Sequence, residues 1–186
     1  MRVISGTAKG TKLNSIESLS TRPTLDRVKE SLFNIIQNKI QDSIILDLFA
    51  GSGAIAIEFL SRGAKNAYLC EKNSVAVKMI HTNLEKTKMT GKTVVINKDY
   101  KHTLELLKKQ KMQFNFVYID PPYKANIAVD SVKRILSLDL LEEKGTIIIE
   151  TDDEKRELLE LEKLDIDVKD IRKYGRVTLI FLTKSI

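Results

Sequence analysis

The chain has 186 residues, 42% hydrophobic and 30% charged, with 31 Lys/Arg against 25 Asp/Glu for a formal charge of +6. That composition excludes a disordered chain, and no apolar run reaches the roughly 18 residues of a membrane-spanning helix. A single cysteine, Cys70, excludes an internal disulfide, and the opening MRVISGTAKGTKL lacks the apolar core of a secretion signal, so a cytoplasmic protein is expected.

In chain order, RVISGTAKGTKL (2–13) has the glycine spacing of a small hairpin, flanked by Lys9 and Lys12. TRPTLDRVKESLFNII (21–36) predicts a helix opened by Pro23, with Asp26 in its first turn and Leu25, Val28, Leu32, Ile35 and Ile36 on one face. Residues 1–40 hold seven Lys/Arg and three Asp/Glu, a net +4. A basic end of this kind suits a polyanion such as nucleic acid, although an ordinary solvated face carries the same signature. From residue 43, β-type runs at 43–49, 66–71, 93–97, 114–120 and 145–150 alternate with helical patterns at 53–62, 74–88, 103–109 and 126–138. Several of the runs are apolar almost throughout. The expectation is an α/β fold built on a doubly wound, mostly parallel sheet with helices on both faces. The charged run at 152–165 reads as a solvated helix face. Segments 167–175 and 176–184 meet at Tyr174–Gly175 and read as an antiparallel hairpin closing one edge. No repeat or linker divides the chain, so one domain over 1–186 is expected, a small hairpin-helix extension over 1–40 leading into a core over 41–186.

Between the first strand and helix of that core lies DLFAGSGA, Asp47 to Ala54. Gly51 and Gly53 allow a sharp turn and let a ligand approach the main chain. With Ala56 they also satisfy the relaxed dinucleotide pattern, so the loop alone is a weak signal. No Gly-Lys-Ser/Thr follows, which rules out a P-loop. Asp47 sharpens the reading, because a carboxylate there repels a pyrophosphate but holds a cationic amine. Glu71, ending the second strand, is placed to accept from both ribose hydroxyls, and Asp99, past the third, could take the amine of an adenine edge. An ammonium, a ribose and an adenine without phosphate describe S-adenosylmethionine. Phe49 adjoins this loop and is grouped with the cofactor residues.

The fourth run ends in FVYIDPPYKAN, Phe116 to Asn126. Proline cannot donate to a sheet ladder, so the strand stops at Asp120, at the end of the sheet where ligands of open α/β folds sit. An exocyclic nucleobase amine is a poor nucleophile because its lone pair is conjugated into the ring. The Asp120 carboxylate and the Pro121 carbonyl can grip its two N–H groups and turn that lone pair out of the plane. Tyr123 offers a stacking face worth about 1–3 kcal/mol. Catalytic roles are expected for Asp120, Pro121 and Tyr123.

With D-P-P-Y, D-L-F-A-G-S-G, RVISGTAKGTKL and TRPTLDRVKESLFNII, the chain from residue 2 to the last hairpin resembles the RsmD family of 16S ribosomal RNA guanine-N2 methyltransferases. The segment containing R-P-T is the most family-specific of these motifs. The resemblance implies a Rossmann-like methyltransferase sheet with an antiparallel last strand. It implies S-adenosylmethionine as cofactor and guanine 966 of the small-subunit RNA, in the subunit or an assembly intermediate, as target. By motif position it implies cofactor roles for Asp47, Gly51, Gly53, Glu71 and Asp99, and target-base roles for Asp120 and Tyr123. Arg22, Pro23 and Thr24 match the R-P-T element. RNA contacts are expected from Arg2, Lys9, Lys12, Arg22, Thr24 and Arg27, on a monomer with no metal and no membrane contact. Three other readings stay open: an amino-methyltransferase acting on another RNA, DNA or a protein glutamine, a nicotinamide oxidoreductase, and an inactive assembly binder. The last two leave Asp47 and D-P-P-Y without a purpose. His81 and His102 are expected at the surface or in packing, and Cys70 and Phe116 in the core.

Overall fold

Seven strands form one sheet in the order β3-β2-β1-β4-β5-β7-β6. A computed structural model describes residues 1–15, 23–122 and 127–185, with the backbone alone for 23–25. The strands are β1 (Ile44–Asp47), β2 (Asn66–Cys70), β3 (Thr93–Ile96), β4 (Phe114–Ile119), β5 (Leu141–Thr151), β6 (Ile166–Tyr174) and β7 (Val177–Lys184). The first five run parallel, and β7 returns antiparallel to both β5 and β6. The chain is a Rossmann-like, mostly parallel α/β sheet with antiparallel C-terminal strands, as expected. Its order reverses between β1 and β4, and ligands of such sheets bind beyond the strand ends at that switch point.

Six helices cover the sheet: α1 (Pro23–Ile36), α2 (Ala54–Ser61), α3 (Ser74–Thr87), α4 (Tyr100–Lys109), α5 (Ile127–Ser137) and α6 (Glu154–Leu161). Alternation along each strand sends its apolar side chains to two separate cores. One gathers Ile45, Phe116, Tyr118 and Ile148 under α1, α2 and α3, and the other gathers Leu46, Val117, Ile119 and Ile147 under α4 and α5. Side-chain caps start several helices: Asn73 accepts from Val75 and Ala76, and Asp99 from Lys101 and His102. No helix among the described residues is long and apolar enough to cross a membrane.

The N-terminal segment is tied down by a buried carboxylate. Glu58 of α2, fully buried, accepts from the Ile4 and Ser5 amides at 2.8 and 3.0 Å and pairs with Lys29 at 3.0 Å and Arg62 at 2.8 Å. The Lys29 ammonium also donates to the Arg2 carbonyl at 2.9 Å. Burial is the main cause that pulls the Lys29 pKa below its ordinary value, and the Glu58 charge opposes it. Gly6, at φ +81°, lies against α2 so closely that a Cβ there would fall 1.7 Å from the Ser61 carbonyl oxygen. Only glycine fits.

One feature differs from the sequence expectation and two refine it. The hairpin at 2–13 is minimal: it closes on the antiparallel bridge Arg2 to Lys12, with the Val3 amide on the Thr11 carbonyl and the Leu13 amide on the Met1 carbonyl, while the Ile4, Ser5 and Ala8 amides bond to α2. On α1, Ile35 is 40% exposed, while Val28, Leu32, Phe33 and Ile36 are buried. The buried stripe is turned toward Lys29 and Phe33 by the Glu58 pair and by the Phe33–Phe59 edge contact at 4.8 Å. In the C-terminal hairpin, β7 docks on the sheet and β6 forms the edge. The apolar VTLIFLTK is buried along its centre, whereas the charged IDVKDIRKY suits an edge that must not pair further.

Candidate active site at the carboxyl ends of the parallel strands

After β1 the chain turns through Gly51 (φ +56°) and Gly53 (φ +77°), a backbone region that favours glycine. Gly53 precedes α2, and a Cβ on it would press the Leu69 side chain at 3.2 Å. Gly51 has open space where its Cβ would be, so a ligand can come down onto the main chain there. The loop is fastened on both sides. The Gly51 amide donates to Glu71 Oε2 at 2.9 Å, and the Ser52 carbonyl accepts from buried Asn83 of α3 at 2.9 Å. Asn83 also exchanges two hydrogen bonds with the backbone of Asn14, which brings the end of the N-terminal segment to the rim of the site.

Acids stand at or just beyond the ends of all five parallel strands: Asp47, Glu71, Asp99, Asp120 and Glu150. Asp47 is 2% exposed, and its Oδ2 is buried without a hydrogen-bond partner among the described residues. Burial pushes its pKa up to about 7; the Glu71 charge adds to the rise, and the Ala56 and Phe49 amides oppose it. An orphaned carboxylate oxygen facing a glycine loop is a place for a cationic group.

Asp120 follows β4 directly. Register pairs Asp47 with Tyr118 and Ile119 with Ile149, so the next step sets Asp120 beside Glu150. Tyr118, Asp120 and Glu150 share the sheet face that carries Ile45, Asp47 and Ile148. Burial first, then the charges of Glu150 and Asp47, raise the Asp120 pKa well above the usual carboxylate range. Glu150 is also raised by burial, against a hydrogen bond from the Tyr118 hydroxyl to its Oε2. Among the described residues, none of these three acids has a salt-bridge partner.

The structure brings Asp47, Phe49, Gly51, Gly53, Glu71, Asp99, Asp120 and Pro121 to one end of the sheet. Glu71 also takes the Asn73 amide at 2.8 Å, so both its oxygens already hold loop amides and keep lone pairs for a ligand. Asp99 is the cap of α4, and its second oxygen contacts His102, whose hydrogen bond is the main cause holding its pKa low. Phe49 is half-buried, its ring tilted against Tyr100 at 5.6 Å. Cys70 is buried, its thiol bonded to Thr103 and pushed up to about 12 by burial, which removes it as a nucleophile.

Arg2, Lys9 and Lys12 are exposed on the N-terminal hairpin, Arg2 and Lys12 as bridge partners, and Arg27 is exposed on α1. Thr7 and Ala8 bond to Ser61 at the far end of α2, so Lys9 sits about 12 Å along that helix from the glycine loop. Arg27 lies in the half of α1 nearer the site, the half before Ser31, which touches Tyr174 at the end of β6. Tyr123 and Arg22, and the side chain of Thr24, lie outside the described residues. Sequence reasoning missed Glu150, Tyr118, Tyr100 and Asn83. GTIIIE ends in an acid as DLF begins with one, and that parity was the available signal for Glu150.

A family model described as Conserved hypothetical protein 95 matches residues 1–183. The YlbH protein of Bacillus subtilis is 38% identical over 154 residues, covering 83% of this chain and 84% of its own length. Ribosomal RNA small subunit methyltransferase D of Haemophilus influenzae is 35% identical over 158 residues, covering 83% and 80%. Among solved structures, the yhhF protein of Escherichia coli superposes with a TM-score of 0.81 at 27% identity, covering 100% of this chain and 98% of its own. Matched over nearly its whole length by the family model, and carrying the glycine loop and Asp120-Pro121-Pro122 at one end of this sheet, the chain belongs to the RsmD family.

Proposed function

We propose that this protein methylates the exocyclic N2 amine of a guanine in 16S ribosomal RNA, with S-adenosylmethionine as the methyl donor. One observation carries the reading: two carboxylates with no cation among the described residues, buried Asp47 and half-buried Asp120, flank the switch point beside a glycine loop open above Gly51. The methyltransferase names of relatives similar over four-fifths of the chain support it.

The residues fit the donor. Asp47 Oδ2 lacks a partner that an ammonium would supply, Glu71 offers acceptors for two ribose hydroxyls, and Phe49 and Tyr100 offer apolar ring surface beside Asp99. When bound, S-adenosylmethionine supplies a methyl group on a positively charged sulfur. The chain's own work is to hold the amine. Asp120 and the Pro121 carbonyl accept its two N–H groups, which frees the nitrogen lone pair from the ring. Pro121 and Pro122 stiffen the backbone, so few groups reorganise as charge develops. Tyr123 supplies the face on which the extruded guanine stacks. Arg2, Lys12, Arg22, Thr24 and Arg27 contact RNA around the opening, with Lys9 on a more distant phosphate. The chain acts as a single cytoplasmic methyltransferase domain and a monomer, on the small subunit or its assembly intermediate, at guanine 966.

The test is transfer of labelled methyl from the donor to unmethylated small subunits, naked 16S RNA and DNA, followed by nucleoside analysis. N2-methylguanine at that position in subunits is expected. Label in DNA, or in a nucleoside other than N2-methylguanine, overturns the assignment.

A further inference from the structure

Glu150 has no part in the reading above, yet it is the nearest ionisable neighbour of Asp120 along the sheet. The two follow the paired Ile119 and Ile149, and adjacent strands lie about 4.8 Å apart. The parity that faces Tyr118 and Ile148 to one core sends both carboxyl groups to the same side. The Tyr118 hydroxyl occupies Glu150 Oε2 and leaves Oε1 free to turn toward Asp120. The ionisable groups acting on this pair are Asp47 from β1 and Tyr118 from β4, and no cation pairs with any of them among the described residues. Two half-buried carboxylates side by side without a counter-ion disfavour double ionisation.

We propose that Glu150 is a positioning residue for the proton that methyl transfer releases: it shares one proton with Asp120 in the resting site, so that the pair carries a single charge and keeps one place for the proton of the target amine. This inference rests on the methyltransferase reading. When the amine donates an N–H to Asp120, the shared proton moves onto Glu150 Oε1. The nitrogen lone pair then forms the N–C bond, and the electrons of the S–C bond remain on sulfur. The nitrogen, now cationic, gives one proton to Asp120, leaving both acids neutral. Loss of one proton to solvent restores the shared state. One methyl moves and one proton leaves, so charge balances: the positive charge of the sulfonium donor departs as that proton. Desolvation and mutual charge both disfavour the doubly ionised pair, so one proton stays on it at rest.

The direct test is a titration of the unliganded protein carrying carboxyl-¹³C aspartate, with the Asp120 signal assigned by Asp120→Asn. In the wild type it should titrate in two steps that belong to the pair. In Glu150→Gln, which keeps an acceptor for Tyr118 but removes the charge, it should titrate in one step at least tenfold more acidic. Glu150→Asp should restore a raised midpoint. Single-turnover methylation should report the lower step: the acid limb of the rate profile moves to higher pH in Glu150→Gln, because a lone acid takes its proton above the lower step of the pair; kcat falls, and donor affinity and the KM for RNA hold. A single-step Asp120 titration in the wild type, or an unmoved midpoint in Glu150→Gln, overturns the proposal. Should Glu150→Gln fail to fold, the wild-type titration alone decides. Because that titration needs neither donor nor RNA, its outcome is independent of whether guanine N2 is the substrate.

Discussion

Glu58 and the Asp47–Asp120–Glu150 group serve the same face of the sheet; Glu58 and Asp47 are buried, and Asp120 and Glu150 are half-buried. Their surroundings are opposite. Glu58 meets two backbone amides, an ammonium and a guanidinium within 3.0 Å, so its charge is fully answered inside the protein. The three acids at the strand ends meet one tyrosine hydroxyl, on Glu150, and the Ala56 and Phe49 amides, on Asp47; they meet no cation among the described residues, and Asp47 Oδ2 has no partner. Burying a charge without a counter-charge costs free energy that folding alone does not recover. A satisfied buried carboxylate therefore marks where the fold is pinned, and unsatisfied ones mark where a cationic ligand or a proton is expected. In this molecule the pin fastens the N-terminal segment, and the vacant charges face the glycine loop.

The contrast breaks most severely at Glu58. Glu58→Ala leaves Lys29 buried without its partner and two amides without acceptors, so unfolding free energy should fall by about 3–5 kcal/mol. Urea melts measure this, and a loss under 1 kcal/mol would mean that the cluster is not the pin. Asp120→Ala should do the reverse: stability holds or rises, because a desolvated acid is gone. Single-turnover methylation should drop about 10²–10³-fold, the scale of losing one preorganised acceptor. Asp120→Asn should retain more activity than alanine, and near-normal turnover by alanine would remove Asp120 from the chemistry.

At Asp47 the comparison can be sharpened with pH. Its folded pKa lies above its unfolded value, so folding is favoured while it is protonated. That advantage is full at low pH and is lost as pH rises from about 4 through about 7. Relative to Asp47→Asn, the wild type should therefore lose on the order of 2–4 kcal/mol across that window. Paired denaturation curves at pH 4 and pH 8 read the difference. The same variant should bind S-adenosylmethionine more weakly at pH 8, since the counter-charge for its amine is gone. Parallel stability curves, or unchanged calorimetric affinity, would detach Asp47 from the cofactor. The smallest effect is expected from the exposed bases. Arg2→Ala with Lys12→Ala should flatten the salt dependence of RNA binding by roughly 0.7–0.9 in slope per lost contact, and Lys9→Ala by less. An equal effect from Lys9 would show that the RNA tracks the whole length of α2.

Much of this architecture was legible because apolar patterning is local. The five parallel strands, the helices between them and the turn at Gly175 all announce themselves by period and by glycine. D-L-F-A-G-S-G and D-P-P-Y name their chemistry within a few residues, since each motif is contiguous and its backbone demands are met by Gly and Pro themselves. Asp120 could be read as a base-holding acid from the prolines after it. Asp99 could be read only halfway, because its place as the cap of α4 looks the same in sequence as a ligand contact.

What only the tertiary structure decided is which distant residues become neighbours. Glu58, Lys29, Arg62 and the amides of Ile4 and Ser5 form one buried cluster from three segments whose charges look like solvated faces in sequence. Whether Glu150 stands beside Asp120 depends on the β4–β5 register, and a slip of one residue would send its carboxylate to the other face. The order of β6 and β7 in the sheet is likewise a tertiary outcome. Local sequence sets periodicity and turns, but the identity of an ion's partner is set by long-range packing, and that packing decides whether a buried charge is answered.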